Sequence, residues 1–443
     1  MNRIPLLSFY FMKKFLPLLV LFLFGCQSVT KPEHKMLEPV VKTPVISEST
    51  THDQFESQNL QTKKIEEKKT SVALFLPFSG KNKDLGWSLF NAATISLFDN
   101  DHNNAIELVL IDSKDTPEEA EVAFKQIVDR KIKIVIGPVF SQAISAIEKE
   151  AKRNEITVIS LSNNQELIGK INSDGGVFLA GILPEAQMDR IIEYGIDQGK
   201  LNFATIAPNS QYGRTISSLF SKIVRDRDGN MITSEFYDSN GVNIDRTVER
   251  VINAFTLSSN LTKGKSKLKK DVVLADKDRV YPQIIFVPES GKMLSKIAAA
   301  LKKLNKDERD FQLIGTSQWD DSAIANDSNL LGAWFPAPEN GRFRNFERAY
   351  YQSFNKFPPR ISSLVYDLTA ATIELANRSG RLKAPKIADF IGYENPPING
   401  FDGIDGPFRF LPNGLVQRNL AVLQVGGGRF DTINHAVERF LKY

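Results

Sequence analysis

The chain has 443 residues, 42% of them hydrophobic, which is enough apolar material for two packed domains. Its formal net charge is +4, and Arg3, Lys13 and Lys14 lie in an N-terminal stretch without acid, so the remainder is close to neutral. This balance excludes the basic footprint of a nucleic-acid-binding protein. The single cysteine excludes an internal disulfide framework.

The N-terminus has the pattern of a secretory signal. Met12-Lys13-Lys14 is basic, and residues 15–24 form a short apolar run. The alternative is one membrane-spanning helix over residues 4–24, which would place both lysines near the bilayer centre at an energetic cost. Translation can begin at Met1 or at Met12, and the pattern leaves that choice open.

Leu23-Phe24-Gly25-Cys26 resembles a bacterial lipobox, in which the cysteine is lipidated and becomes the mature N-terminus. A buried free cysteine is the other interpretation, but Cys26 directly follows the apolar run. Gln27 resembles the pattern that permits sorting to the outer membrane rather than retention at the inner membrane. We therefore predict a signal peptide over residues 1–25, then a lipidated cysteine and a disordered polar tether over residues 26–70.

The body begins at Ser71 with strands that alternate with helices. A continuous apolar run predicts a strand buried on both faces at residues 72–76, and further strands are predicted at residues 106–111, 132–136 and 157–160. Helices are predicted near residues 87–98, after a capping box at Thr116, and after Ser141 as a cap. Strands alternating with amphipathic helices imply right-handed crossovers and a doubly wound parallel sheet.

After residue 180 a second set of such units begins. Its strands are predicted at residues 203–207, 231–237, 283–287, 311–314 and 331–335, and Asp245 is predicted to cap a helix. Two hairpins are predicted around Pro412-Asn413-Gly414 and Gly426-Gly427-Gly428. The fold class is therefore α/β, with two doubly wound parallel-sheet lobes and a cleft between them.

Residues 256–279 interrupt the second lobe with a lysine-rich insertion. A solvated loop is the simpler interpretation. The functional alternative is a contact for an acidic partner or for anionic lipid.

The residue inventory favours binding over catalysis. Of the four histidines, His102 and His435 lie in the body, and neither falls near a candidate nucleophile. Cys26 is assigned to the lipid, and no metal-ligand cluster appears. The sequence therefore predicts a protein that is not an enzyme and needs no metal or cofactor.

Four segments together resemble the type I periplasmic-binding fold of leucine/isoleucine/valine-binding proteins. They are Leu76-Pro77-Phe78-Ser79-Gly80, Ile136-Gly137-Pro138-Val139-Phe140-Ser141, Ile159-Ser160-Leu161-Ser162-Asn163 and Asn209-Ser210-Gln211-Tyr212-Gly213-Arg214. The resemblance implies three crossings between lobes, which we expect near Leu183, Phe335 and Asn419. Lobe 1 is then expected at residues 71–183 and 336–418, and lobe 2 at residues 184–335 and 419–443.

Other segments resemble a narrower branch, the penicillin-binding-protein activator lipoproteins. They are Gly315-Thr316-Ser317-Gln318-Trp319-Asp320-Asp321, Leu331-Gly332-Ala333-Trp334-Phe335-Pro336, Leu364-Val365-Tyr366-Asp367 and residues 400–410. This resemblance implies an outer-membrane lipoprotein that stimulates a peptidoglycan synthase by direct contact. The alternative is the solute-binding subunit of a branched-chain-amino-acid-type ABC importer.

The resemblance to amino-acid-binding proteins implies candidate cleft residues. Hydroxyls and backbone N–H groups at strand ends would hold a ligand carboxylate, an acidic residue would take its ammonium, and aromatic residues would form walls. The candidates are Ser79, Gly80, Ser141, Ser160, Ser162, Asn163, Tyr212, Glu289 and Trp319. Helix capping and turn chemistry are an equal alternative for the serines, and a solvated turn is one for Glu289. Asn163-Asn164 argues against a standard amino-acid site.

Overall fold

The computed structural model describes residues 69–164, 167, 176–257, 279–306, 309–379, 385–393 and 399–440. The predicted signal peptide, Cys26 and the predicted tether up to residue 68 lie outside these residues. Residues 258–278 of the basic insertion also lie outside them. Within the described ranges, no helix has the length and apolar character needed to cross a membrane.

Lobe 1 is built on a five-stranded sheet whose strands are all parallel. In chain order they are β1 (Thr70–Leu76), β2 (Ile106–Asp112), β3 (Ile134–Ile136), β4 (Thr157–Ser160) and β5 (Gly176–Leu179). Their order across the sheet is β2-β1-β3-β4-β5. Residues 72–76 of β1 are completely buried because helices cover both faces of the sheet.

Lobe 2 is built on a seven-stranded mixed sheet. Its strands are β6 (Asn202–Pro208), β7 (Asn230–Tyr237), β10 (Ile284–Phe286), β11 (Gln312–Ile314), β12 (Trp334–Ala337), β15 (Ala421–Val425) and β16 (Phe430–Asn434). The order is β16-β15-β12-β11-β10-β6-β7. The strands from β12 to β7 pair in parallel, whereas β15 and β16 are antiparallel additions. The predicted α/β class with two doubly wound lobes is confirmed.

Two short antiparallel ladders complete the strands. They are β8 (Thr256–Leu257) with β9 (Arg279–Val280), and β13 (Phe408–Phe410) with β14 (Val416–Arg418). The first ladder joins the two ends of the basic insertion. The second is the hairpin predicted around Pro412-Asn413-Gly414.

The described residues form eleven α-helices. They are α1 (Lys83–Asn100), α2 (Pro117–Asp129), α3 (Ser141–Arg153), α4 (Pro184–Asp197), α5 (Gln211–Asp226), α6 (Ile244–Asn253), α7 (Gly291–Leu304), α8 (Ser322–Ala325), α9 (Asn340–Phe354), α10 (Ser362–Arg378) and α11 (Ile387–Ile391). Thr116 caps α2 as predicted, since its hydroxyl accepts from the backbone N–H of Glu119. The reciprocal bond of the predicted capping box differs, because the carboxylate of Glu119 accepts from the Thr116 hydroxyl.

Two predicted caps differ from the structure. Ser141 is the first helical residue of α3, and Phe140 occupies the extended cap position without a side-chain bond. Asp245 lies in the first turn of α6 and pairs with Lys303, while Asn243 holds the cap position. The cap position therefore lies one residue before Ser141 in α3 and two residues before Asp245 in α6. In both helices the preceding loop sets where the helix begins.

The chain passes between the sheets three times, after β5, after β12 and after β14. The second passage is later than expected, because the strand predicted at residues 331–335 runs instead from Trp334 to Ala337. The C-terminal residues also return to lobe 1. Phe440 is buried, its carbonyl accepts from Asn399, and its ring lies 4.6 Å from the guanidinium of Arg409. Phe440 therefore packs on lobe 1, although the sequence places residues 419–443 in lobe 2.

Candidate functional site

A cavity of about 450 Å³ lies between the two lobes. Its walls come from strand-end loops of both sheets and from two of the chain passages. From lobe 1 it is lined mainly by Phe140, Ser141, Ser162, Asn163, Arg360 and Asp405, from lobe 2 by Ser317, Gln318 and Asp320, and from the passages by Gly181, Ile182 and Pro338. This is the expected position for a ligand site on doubly wound sheets, beyond the carboxyl ends of their strands.

Three predicted site residues line this cavity. Ser141 begins α3 after the end of β3, and Ser162 and Asn163 follow the end of β4. Asn163 is exposed, whereas Ser162 is buried and its hydroxyl accepts from the backbone N–H of Asn164 at 3.1 Å. The lobe 1 wall therefore carries hydroxyl and amide groups, as the sequence predicts.

Three other lobe 1 candidates, Ser160, Ser79 and Gly80, do not line the cavity and have structural roles. Ser160 is completely buried, donates to the carbonyl of Pro138 at 2.8 Å and accepts from the N–H of Ser162. Its hydroxyl performs turn chemistry. Ser79 accepts from the ammonium of Lys114 at 3.1 Å. Gly80 has a φ of +74°, which favours glycine in this turn.

In lobe 2, Tyr212 and Glu289 lie near each other, but neither lines the cavity. The carboxylate of Glu289 accepts from the hydroxyl of Tyr237 and from the backbone N–H of Ser290. Burial and this hydrogen bond raise the pKa of Tyr237, so the hydroxyl stays protonated and donates. Glu289 is therefore held by two hydrogen bonds at the end of its strand and does not line the cavity.

Trp319 is completely buried, so its prediction as an aromatic wall of the cleft is wrong. A 3-10 turn over Ser317–Trp319 directs the indole into the core of lobe 2. There its N–H donates to the carbonyl of Glu289 at 2.8 Å. Gln318 and Asp320, its two neighbours, line the cavity instead.

Arg360 joins the two lobes inside the cavity. Its Nε donates to Asp320 of lobe 2 at 2.7 Å, and its Nη1 donates to Asp405 of lobe 1 at 2.7 Å. Asp405 also accepts from the hydroxyl of Ser363, and the guanidinium lies 4.2 Å from the ring centre of Phe343. Although burial lowers the pKa of Arg360, the two aspartates raise it, so the side chain is charged.

A second buried ion pair lies beside the first in lobe 1. Asp367 on α10 is fully buried and accepts from Arg418 at 3.0 Å and from the backbone N–H of Ile404 at 2.6 Å. Burial raises the pKa of Asp367 to about 7, the nearby charge of Asp405 adds to this, and Arg418 opposes it. Arg418 is the last residue of β14, directly before the third passage, so this pair connects the interior of lobe 1 to the hinge.

Sequence reasoning did not select Arg360, Asp405, Asp367 or Arg418 as site residues. Two weak signals were present. Asp367 interrupts the buried face of an otherwise apolar helix, and Asp405 lies in a glycine-rich loop. The partner of a buried charge is distant in sequence, however, so neither signal identifies the ion pair.

Asp367→Asn is expected to change how stability depends on pH. The raised pKa means that the native state keeps a proton on Asp367 that the unfolded chain releases from about pH 4, the usual value for aspartate. Ionisation of Asp367 therefore lowers the free energy of unfolding as the pH rises from 4 to 7. The difference in melting temperature between variant and wild type should shift in favour of the variant across this range. A difference that is constant with pH contradicts the raised pKa, and Asp402→Asn on the surface is the matched control.

The polar groups that line the cavity are suited to holding a ligand by hydrogen bonds and charge. Its lining contains hydroxyls, amides, one guanidinium and two carboxylates, and the carboxylates are both paired with the guanidinium. Across the part of the chain that the structure describes, no three His, Cys, Asp or Glu side chains are grouped to hold a metal ion.

The fold and this interlobe cavity define a binding protein with two hinged lobes. The chain belongs to the periplasmic binding protein family, which matches residues 69–429. The predicted resemblance to the type I fold is thereby confirmed.

Among curated proteins, the chain is similar to an uncharacterized protein of Rickettsia prowazekii (strain Madrid E). The two are 28% identical over 260 residues, which is 58% of this chain and 62% of the relative's length. The match thus spans less than two thirds of that relative.

Solved structures of transport proteins share the fold. A putative branched-chain amino acid ABC transporter protein from Rhodospirillum rubrum has a TM-score of 0.65 at 16% identity, over 82% of this chain and 100% of that one. A leucine-binding protein from Thermotoga maritima has a TM-score of 0.55 at 17% identity, over 83% and 99%. LivJ from Streptococcus pneumoniae, in complex with isoleucine, has a TM-score of 0.54 at 17% identity, over 84% and 100%. At these identities the similarity establishes the fold alone.

Proposed function

We propose that this protein is a lipid-anchored periplasmic regulator that activates a peptidoglycan synthase, a penicillin-binding protein, by direct contact and without catalysis. The observation that carries the proposal is the pairing of the carboxylates in and around the cavity. Asp320 of lobe 2 and Asp405 of lobe 1 are both bound to Arg360. These charged groups of the cavity thus connect the two lobes.

This pairing disfavours capture of an amino acid. An amino-acid ligand presents an ammonium that needs a free carboxylate in a partly desolvated site. To free Asp320 or Asp405, the ligand would have to break one of the two largely buried ion pairs of Arg360. Breaking a buried pair in this way costs about 3–5 kcal/mol.

The segments that resemble activator lipoproteins support the same function. Asp320, Asp367 and Asp405 come from three of those segments, which are distant in sequence, and all three take part in the paired charges around Arg360 and Arg418. The resemblance therefore includes the groups that connect the lobes. With Cys26 lipidated and residues 27–68 as a tether, the body would be held at the periplasmic side of the outer membrane.

A second candidate function is supported by the cavity itself. Its volume of about 450 Å³ is within the range of small-molecule sites, and Ser141, Ser162 and Asn163 could hold a carboxylate. This observation favours the solute-binding subunit of an amino-acid importer.

Two measurements on the purified mature lipoprotein in detergent separate the candidates. We expect faster glycan polymerisation by at least one bifunctional peptidoglycan synthase of the source organism when the protein is added. We also expect that no amino acid of a panel changes the melting temperature. A ligand at a hundredfold excess over its Kd would raise the free energy of unfolding by about 2.7 kcal/mol and so raise the melting temperature.

One result contradicts the regulator and supports the solute receptor. In it, one amino acid raises the melting temperature, Ser162→Ala abolishes that increase, and no synthase is stimulated. Ser221→Ala, far from the cavity on α5, is the matched control for the serine change.

A further inference from the structure

Helices α1 and α9 of lobe 1 present an outward surface that combines aromatic and arginine side chains. We define this aromatic–arginine face as Trp87, Arg344, Arg348, Tyr351 and Phe357. Arg344, Arg348 and Tyr351 share one side of α9 by their i, i+4 and i+7 spacing, and Phe357 stacks on Tyr351. The side chains of Trp87, Tyr351 and Phe357 are 46%, 43% and 69% exposed. Exposed aromatic side chains gathered on one surface indicate an interaction site, whereas single ones need no explanation.

The two helices are fixed to each other, so the face has a defined shape. The hydroxyl of Tyr350 on α9 donates to the carbonyl of Ser88 on α1 at 3.2 Å and accepts from Asn91 at 3.1 Å. Trp87 and Tyr351 adjoin these bonded residues in sequence, and therefore lie at the same end of the helix pair. A docking surface on two packed helices costs little conformational entropy on binding.

The arginines of the face have charges that are not neutralised locally. Arg344 and Arg348 are four residues apart and exposed, and none of the ion pairs among the described residues involves either of them. Arg342 on the same helix differs, because it pairs with Asp402. Glu347 is the only acidic residue of α9.

Two aromatic side chains of the face are packed on each other. The ring centres of Tyr351 and Phe357 lie 4.8 Å apart in a stacked arrangement. Trp, Tyr and Arg are the residue types that dominate binding energy in protein interfaces, because they combine large apolar area with directional hydrogen bonds.

We propose that the aromatic–arginine face is the docking surface for an acidic patch on a partner protein. The proposal rests on the proposed function and identifies this face as the contact with the synthase. Guanidinium groups of Arg344 and Arg348 would form bidentate bonds with Asp or Glu carboxylates. The aromatic side chains would fill apolar depressions between those acids.

The test uses the mature lipoprotein and each synthase that the wild type stimulates. Arg344→Glu/Arg348→Glu reverses two charges of the face. Lys292→Glu/Lys296→Glu reverses an equally spaced, exposed pair on α7 of lobe 2 and is the matched control. We expect the first variant to bind the synthase at least about tenfold more weakly, with parallel loss of stimulation, and the control to bind as wild type does. Tyr351→Ala, which changes no charge, should weaken binding as well.

Each outcome decides the proposal. If both charge variants bind and stimulate equally, the face is not the docking surface, although the proposed function stands. If the arginine variant instead loses only binding to phosphatidylglycerol vesicles, the face contacts a membrane and the proposal is overturned. If the wild type stimulates no synthase, the proposed function and this inference fail together. Equal melting temperatures of the variants and wild type exclude misfolding as the cause.

Discussion

Arg360→Met is expected to lower the free energy of unfolding by about 3–5 kcal/mol and to separate the two lobes. The substitution keeps an unbranched apolar side chain but removes the guanidinium and its charge. Asp405, whose side chain is 1% exposed, and Asp320, which is 9% exposed, would then lie almost buried without a counter-charge. Chemical denaturation measures the loss of stability, and small-angle X-ray scattering measures the increase in radius of gyration.

A surface ion pair of the same lobe provides the control for this change. Arg342 and Asp402 are 59% and 47% exposed, so Arg342→Met should cost at most about 1 kcal/mol. Adding Asp405→Asn and Asp320→Asn to Arg360→Met should restore part of the stability, because no buried charge then remains unpaired. Equal losses for the Arg360 and Arg342 variants would show that the interlobe pair does not hold the lobes.

Trp319→Ala is expected to destabilise the protein by about 3–5 kcal/mol, as large-to-small changes at completely buried aromatic positions do. The change leaves a cavity in lobe 2 next to Phe335 and removes the donor to the carbonyl of Glu289. Trp87→Ala is the matched control, since Trp87 is 46% exposed and should cost about 1 kcal/mol or less. Denaturant unfolding of the two variants compares them directly, and similar losses would contradict the buried placement of Trp319.

Gly315 provides an independent check on the position of Trp319. A Cβ at residue 315 would lie 2.0 Å from an atom of the indole ring, so Gly315→Ala should be strongly destabilising in the wild type. In the Trp319→Ala background the same substitution should cost much less. A double-mutant cycle measures this coupling, and additive losses would mean that the two residues are not in contact.

The sequence was sufficient to predict the fold because its information is local. The apolar runs of β1 and β4 and the capping box at Thr116 each act within one element. Alternation of such elements then restricts the chain to a parallel sheet. β5 (Gly176–Leu179) was not predicted, because no helix pattern separates it clearly from β4, although its pairing with β4 buries it.

The site was predicted only in part because its organisation is not local. Ser141, Ser162 and Asn163 could be identified since they follow strand ends, and strand ends meet at the cavity. Arg360 bonds to partners 40 and 45 residues away in the chain, and no periodicity connects them. Trp319 was misplaced since a strand-end loop can direct a side chain to either face, and one turn of 3-10 helix decided its direction.

The order of strands in lobe 2 also has a consequence for how the molecule is made. β12 and its antiparallel partner β15 are neighbours in the sheet, but residues 340–418, which build much of lobe 1, lie between them in the chain. Until residues 421–425 are available to pair, β12 has an open edge with unpaired backbone groups, which is a template for aggregation. The sheet of lobe 2 therefore cannot be completed before the segment that builds much of lobe 1 has emerged and folded or looped out.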